Sequence, residues 1–233
     1  MSGGYFSYAL LAALATALLV AAYTDIKRRE IDNTLNAAIA LAAPVWWLAS
    51  GMGWSAIGFQ LALCAITFAI ACALFATGQM GGGDVKLLTA LALWFSPSAF
   101  LQLVVLMAVL GGAGSVAMAA CNMQRRPGER GRDALAAMAA IGWVGCAGAV
   151  LFALALHRPL VSGAALQSIR VALPPTWLVI AAAIVLVAGF LFGFLHIVRR
   201  QKARLPIPYG VAISAAGLWV LGERALQAAP VAG

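Results

Sequence analysis

Long apolar stretches alternate with short polar punctuation along the whole chain. The apolar runs fall at about 5–24, 35–50, 55–77, 86–97, 99–121, 134–156, 176–198 and 208–227. A helix needs about 20 apolar residues to cross a bilayer, and 17 is a practical minimum. Most of these runs meet that length. The 35–50 and 86–97 runs are short, and Pro44 and Pro97 interrupt or end them. The pattern predicts an all-α, polytopic transmembrane helical bundle of six to eight spans, with eight the count favoured by charge. The first run has no basic residue before it and a basic cluster after it, the reverse of a cleaved signal peptide.

Composition agrees, with 64% of the 233 residues apolar and only 9% charged. Soluble domains carry about 25% charged residues. Twelve of the fifteen basic residues fall in four groups: Lys27 to Arg29, Lys86, Arg125 to Arg132, and Arg199 to Arg204. Eight spans with an outside N-terminus put all four groups on the cytoplasmic side, as the positive-inside rule requires. Arg158, Arg170 and Arg224 then lie outside or near it. Basic residues that punctuate apolar segments argue against a nucleic-acid partner, and the lipid bilayer is the expected environment. Cys64, Cys72, Cys121 and Cys146 form no C-x-x-C pair, and His157 and His196 lack ligand spacing. No metal and no cofactor is expected.

The seven acidic residues carry the chemistry. Glu129 and Asp133 sit among arginines, and Glu223 precedes Arg224. Asp25 and Asp84 stand where apolar runs meet the cytoplasmic edge, on the same side in this topology. Ionisable groups at such positions are costly and often functional. The three glycines Gly81, Gly82 and Gly83 before Asp84 allow positive φ and close approach by a substrate. Asp84 is expected at or near the N-cap of the next helix, whose dipole favours its charged form. If the first helix continues past the membrane edge, Asp25, Arg29 and Asp32 share one face.

Two aspartates at one apolar, partly wet site are the parts of an aspartyl protease. Close carboxylates cannot both ionise cheaply, so one keeps a proton. The dipole argument makes Asp84 the ionised partner, and Arg29 or Lys27 beside Asp25 would reverse that. Two other readings stay open: a small proton- or cation-coupled membrane transporter, and a non-catalytic subunit of pilus or secretion assembly. A transporter would more often place its ionisable groups near the bilayer midplane.

Three stretches resemble one family. Asp25-Ile26-Lys27-Arg28-Arg29-Glu30-Ile31-Asp32-Asn33 is similar to an aspartate followed by basic residues and Ile-Pro-Asn. Gly81-Gly82-Gly83-Asp84-Val85-Lys86-Leu87 resembles a GxGD-x-K-L motif, and Leu205-Pro206-Ile207-Pro208-Tyr209-Gly210-Val211-Ala212-Ile213 resembles a Pro-Tyr-Gly-x-Ala-Ile helix entry. These are the motifs of the type IV prepilin peptidases, which are GxGD intramembrane aspartyl proteases. The resemblance implies that Asp25 and Asp84 are catalytic. It implies that Gly81, Gly82, Gly83, Lys86, Arg29, Asn33, Pro208, Tyr209 and Gly210 shape the site or bind substrate. It implies a prepilin substrate with a basic leader, a glycine before the cut and an apolar helix after it. The pilus assembly machinery is a further expected partner, and the expected location is the bacterial inner membrane, with the site facing the cytoplasm.

The chain resembles the short branch that serves tight-adherence (Flp-type) pili. It lacks the paired C-x-x-C motifs associated with N-methylation, so cleavage without methyl transfer is implied. Asp32 replaces the usual proline. Residues 1–233 read as one membrane peptidase domain, in which 134–198 is a two-span insertion relative to short members of the family.

Overall fold

The computed structural model describes residues 5–124, 128–156, 163, 167, 168, 176–202 and 209–228. Among these residues there are eight α-helices: α1 (Tyr5–Arg28), α2 (Asn33–Ala49), α3 (Trp54–Ala76), α4 (Gly82–Leu91), α5 (Pro97–Cys121), α6 (Arg130–Ala155), α7 (Thr176–Arg199) and α8 (Tyr209–Ala228). The all-helical expectation holds. Five helices, α1, α3, α5, α6 and α7, are long and apolar enough to cross a membrane. Large side chains such as Leu19, Phe59, Phe68, Ile70, Leu186 and Val187 stand exposed on them. Only lipid suits that much apolar surface.

The short runs resolve differently. Pro44 lies inside α2, whose 17 residues run on through it; a membrane helix tolerates such a proline where neighbours satisfy the freed backbone groups. Pro97 opens α5, a position where its missing N–H costs nothing. The 86–97 run becomes the ten-residue α4, about 15 Å long and too short to cross alone. The eight-span count therefore does not extend to α4 as a full span.

The chain divides into two compact units, Met1–Gly111 with Pro208–Gly233, and Gly112–Ile207. In the first, α1 packs on α8 and α2, and α4 packs on α2, α3 and α8. Phe95, Leu18, Leu87, Leu91, Leu103, Leu106, Ile213 and Val220 are among its fully buried side chains. Gly217 lets α8 close on α1, since a Cβ there would lie 2.9 Å from Leu18 Cδ1. In the second unit, α6 packs on α7 around Val116, Met123, Ala136, Ala140 and Ile197. Small residues again set the approach: a Cβ on Gly193 would sit 2.7 Å from that of Ala139. Membrane helices without a hydrophobic drive to associate use small residues in this way. Residues 134–198 fall within this second unit.

The C-terminal end of α4 is held by side chains. Gln60, buried on α3, donates to the Ala92 and Phe95 carbonyls at 2.6 and 2.5 Å. Trp47 Nε1 donates to the Leu93 carbonyl at 2.8 Å, and Trp94 Nε1 donates to the Ile39 carbonyl at 2.9 Å. A helix that stops among apolar neighbours must have its last carbonyls satisfied. Backbone N–H groups of residues 92–95 do that for Leu88, Ala90 and Leu91, while Gln60 and Trp47 serve the carbonyls just beyond and Trp94 ties this turn to α2.

Candidate active site

Three helix ends of the first unit build the site. Asp25 lies in the last turn of α1 and is 6% exposed. Its Oδ2 accepts the Val211 N–H at 3.1 Å, from the first turn of α8. A Cβ on Gly210 would come within 2.8 Å of the same oxygen and 2.7 Å of Ile31 Cδ1, so only glycine permits this approach. Asp25 thus occupies the anion position at the start of α8, where free amides and the helix dipole favour negative charge.

The α1 helix does not continue past Arg28. Arg29 adopts φ 58°, the left-handed stop that ends many helices, and its N–H closes on the Asp25 carbonyl at 3.0 Å. The face that would join Asp25, Arg29 and Asp32 on one helix therefore does not form. Asp32 becomes the N-cap residue of α2 instead. The reversal drives Ile31, 6% exposed, between two glycines. A Cβ on Gly83 would lie 3.3 Å from that of Ile31. Ile31 is a site-shaping residue that the sequence reading passed over; its signal is one apolar residue in the polar run 27–33.

Asp84 stands near the start of α4, as expected, though it is not the N-cap itself. The N-cap of α4 is Gly81, with φ −75°, and Asp84 sits three residues in. Its carboxylate reaches back to the Gly81 N–H, as the third helical residue does in a capping box. None of Gly81, Gly82 and Gly83 uses positive φ; in this part of the chain that falls to Gly78, at φ 72°. The glycines serve close approach instead, to Asp84 at Gly81 and to Ile31 at Gly83.

Asp25, Arg29, Asn33, Gly81, Gly82, Gly83 and Asp84 line one cavity of about 380 Å³, together with Glu30, Ile31 and Asp32. Arg29 is the cation whose charge reaches Asp25, whereas Lys27 turns back to the Tyr23 hydroxyl at 3.2 Å. Burial first, and the charge of Asp25 second, push the Asp84 carboxyl up to about 6, against the pull of the Gly81 N–H. The dipole of α4, which pointed to Asp84 as the ionised partner, is outweighed. Lys86 Nζ donates to Asn33 Oδ1 at 2.6 Å and joins α4 to α2. The Tyr209 ring covers Gly111 on α5, where a Cβ would be 2.9 Å from Cε1. Pro208 and the preceding residues 205–207 lie outside the described residues.

Residues 12–116 match the model of the type IV leader peptidase family. The match covers a little under half of the chain and supports assigning that segment to the family. The matched segment contains both aspartates and every residue lining the cavity; α8, which supplies Gly210 and Val211, lies beyond it. No curated protein and no solved structure gives a significant match. The family assignment is to a peptidase, embedded here in a multi-pass helical scaffold.

Proposed function

We propose that the protein is an aspartic endopeptidase that removes the basic leader from Flp-type prepilins, with Asp25 and Asp84 as the catalytic pair. One observation carries the reading: the ends of α1 and α4 bring both carboxyls to one cavity, where the charge of Asp25 helps to raise the Asp84 carboxyl. Asp25, facing the amides of α8, is the ionised member and takes a proton from water as the water oxygen attacks the scissile carbonyl carbon. Asp84 holds the proton and gives it to the carbonyl oxygen. The tetrahedral gem-diol then collapses: the C–N bond breaks as Asp25 gives its proton to the leaving amine, and Asp84 takes back a proton from a gem-diol hydroxyl. The two titrations belong to the pair as a unit.

Charge supports the substrate class. Four acidic side chains, of Asp25, Glu30, Asp32 and Asp84, line the cavity with Arg29, and with the proton held on Asp84 three carboxylates face one guanidinium. Such a cavity concentrates cationic peptide. The same charge pattern along the chain supports an inner-membrane location with the cavity open to the cytoplasm. We further propose that residues 134–198 are an added pair of spans and that the pair is served by Lys86, Asn33, Tyr209, Gly210 and Pro208 as site-shaping residues.

Co-expression with a Flp-type prepilin tests the reading. The leader-processed form is expected with the parent chain and lost with Asp25→Ala, Asp84→Ala and Asp84→Asn. Processing that survives the aspartate changes would sink it. Cysteine accessibility at positions 28 and 84 tests the cytoplasmic orientation separately.

A further inference from the structure

Beside the aspartate cavity, and sharing Asn33 with it, lies a second cavity of about 360 Å³ between α2, α3 and α4. Phe68, Cys64, Leu93, Ala37, Ala40 and Ala90 make its walls largely apolar, and Lys86 bonds Asn33, the residue the two cavities share. Asn33 to Ala40 on α2 and Lys86 to Leu93 on α4 are parallel edges, each about 10 Å long at 1.5 Å per residue. The groove therefore leads away from the aspartates along the helices.

Asn36, one turn along α2, lines this groove and is 4% exposed. Its Nδ2 donates to the Gly83 carbonyl at 3.4 Å. A carbonyl can only accept, so this contact sets the orientation of the amide. The Asn36 Oδ1 is then left buried with no hydrogen-bond partner. A buried acceptor without a donor keeps an uncompensated desolvation cost, and such an atom on a residue that lines a groove points to a ligand that brings an N–H.

We propose that this groove seats the first turn of the apolar segment that follows the scissile bond, and that Asn36 accepts one of its backbone N–H groups. The inference rests on the peptidase reading and names where that reading's substrate lies. A lipid tail would fit the apolar walls but offers no donor. The middle of a helix offers none either, because its N–H groups are already used. Only the first four N–H groups of a helix are free. The occupant is thus the start of the apolar segment, which must lie next to the cut. Continuity with the aspartate cavity through Asn33 puts it there. Asn36 is on this account a binding residue that also positions Gly83, two residues from Gly81 and one from Asp84.

The experiment uses the full chain in lipid vesicles and synthetic peptides with a basic leader, a glycine and an apolar segment. Each of the first four N–H groups after the glycine is replaced in turn by N-methyl. One replacement is expected to raise KM about three- to tenfold, the value of one hydrogen bond. In Asn36→Ala that same replacement should have no further effect, while the other three behave as in the parent. A second measurement leaves Asn36 intact. In a chain carrying Asp84→Asn with Cys72→Ala, Cys121→Ala and Cys146→Ala, the parent peptide should slow alkylation of Cys64, and a leader peptide without the apolar segment should not. A cleaved parent peptide with additive N-methyl penalties overturns the Asn36 assignment. Alkylation of Cys64 that is blocked by vesicle lipid alone assigns the groove to lipid and overturns the proposal. A parent peptide that is never cleaved sinks the peptidase reading itself, a result distinct from both.

Discussion

Asp25 and Asp84 are chemically identical side chains that two helix termini make different. Asp25 faces the incoming amides of α8 across a gap that only Gly210 leaves open. Replacing Gly210 by alanine puts a methyl 2.8 Å from Asp25 Oδ2. We expect Gly210→Ala to lose about 1–3 kcal/mol through overpacking and to lower kcat for a leader peptide at least tenfold. Unchanged cleavage would mean that α8 does not serve Asp25. Asp84 is held up to about 6, above its ordinary 3.8. The folded chain therefore binds this proton more tightly than the unfolded chain does. The stabilisation is fully present below the ordinary carboxylate value and is lost as pH rises through about 6. Thermal unfolding in detergent should show the parent losing stability between pH 4 and 7 more steeply than Asp84→Asn, in which this group no longer titrates. Equal slopes would show that Asp84 is not raised. In the parent, kcat should also fall as the pair loses its last proton on the alkaline side.

At the scale of elements, the aspartates were legible in the sequence because charge is rare there and apolar runs are long. Helix ends were harder to read. The run from Asp25 to Asn33 contains no glycine or proline, so nothing local announces the left-handed turn at Arg29 that separates α1 from α2. Tertiary packing decides it, through Ile31 wedged against Gly83 and Gly210. The sequence puts Asp84 at or near the N-cap of α4; it stands three residues inside, with Gly81 as the cap and Phe75 and Ile31 packed on the two glycines between. The role of Gln60 was invisible, since a lone glutamine in an apolar run identifies no partner. Its two bonds to the Ala92 and Phe95 carbonyls hold the turn that follows α4, the helix whose other end carries Asp84. Gln60→Met keeps length and removes both donors. We expect it to cost about 1–3 kcal/mol for the carbonyls left unpaired, read as a lower unfolding midpoint together with reduced kcat. A lower midpoint with unchanged kcat would separate the end of α4 from the placement of Asp84.

The whole molecule divides its labour between two compact units. Every residue lining the aspartate cavity, and the α8 amides behind Asp25, belong to the first unit. That unit is discontinuous in sequence: the chain leaves it at Gly111 and returns at Pro208, which is why a family match over 12–116 ends before the helix that completes the site. The second unit has polar ties of its own. Arg200 pairs with Glu129, and His196 Nε2 meets Asp133 Oδ1 at 2.9 Å. Arg200 Nη1 is buried with no partner, so its charge depends all the more on Glu129. Removing one member of a largely buried pair leaves the other's desolvation uncompensated. Glu129→Ala is expected to destabilise the second unit by about 1–3 kcal/mol, visible as an earlier transition in thermal unfolding. Because the cavity is lined entirely from the first unit and shares no residue with this pair, kcat for a soluble leader peptide should stay within about a factor of two. Loss of cleavage in parallel with the earlier transition would show that the two units fold and act as one.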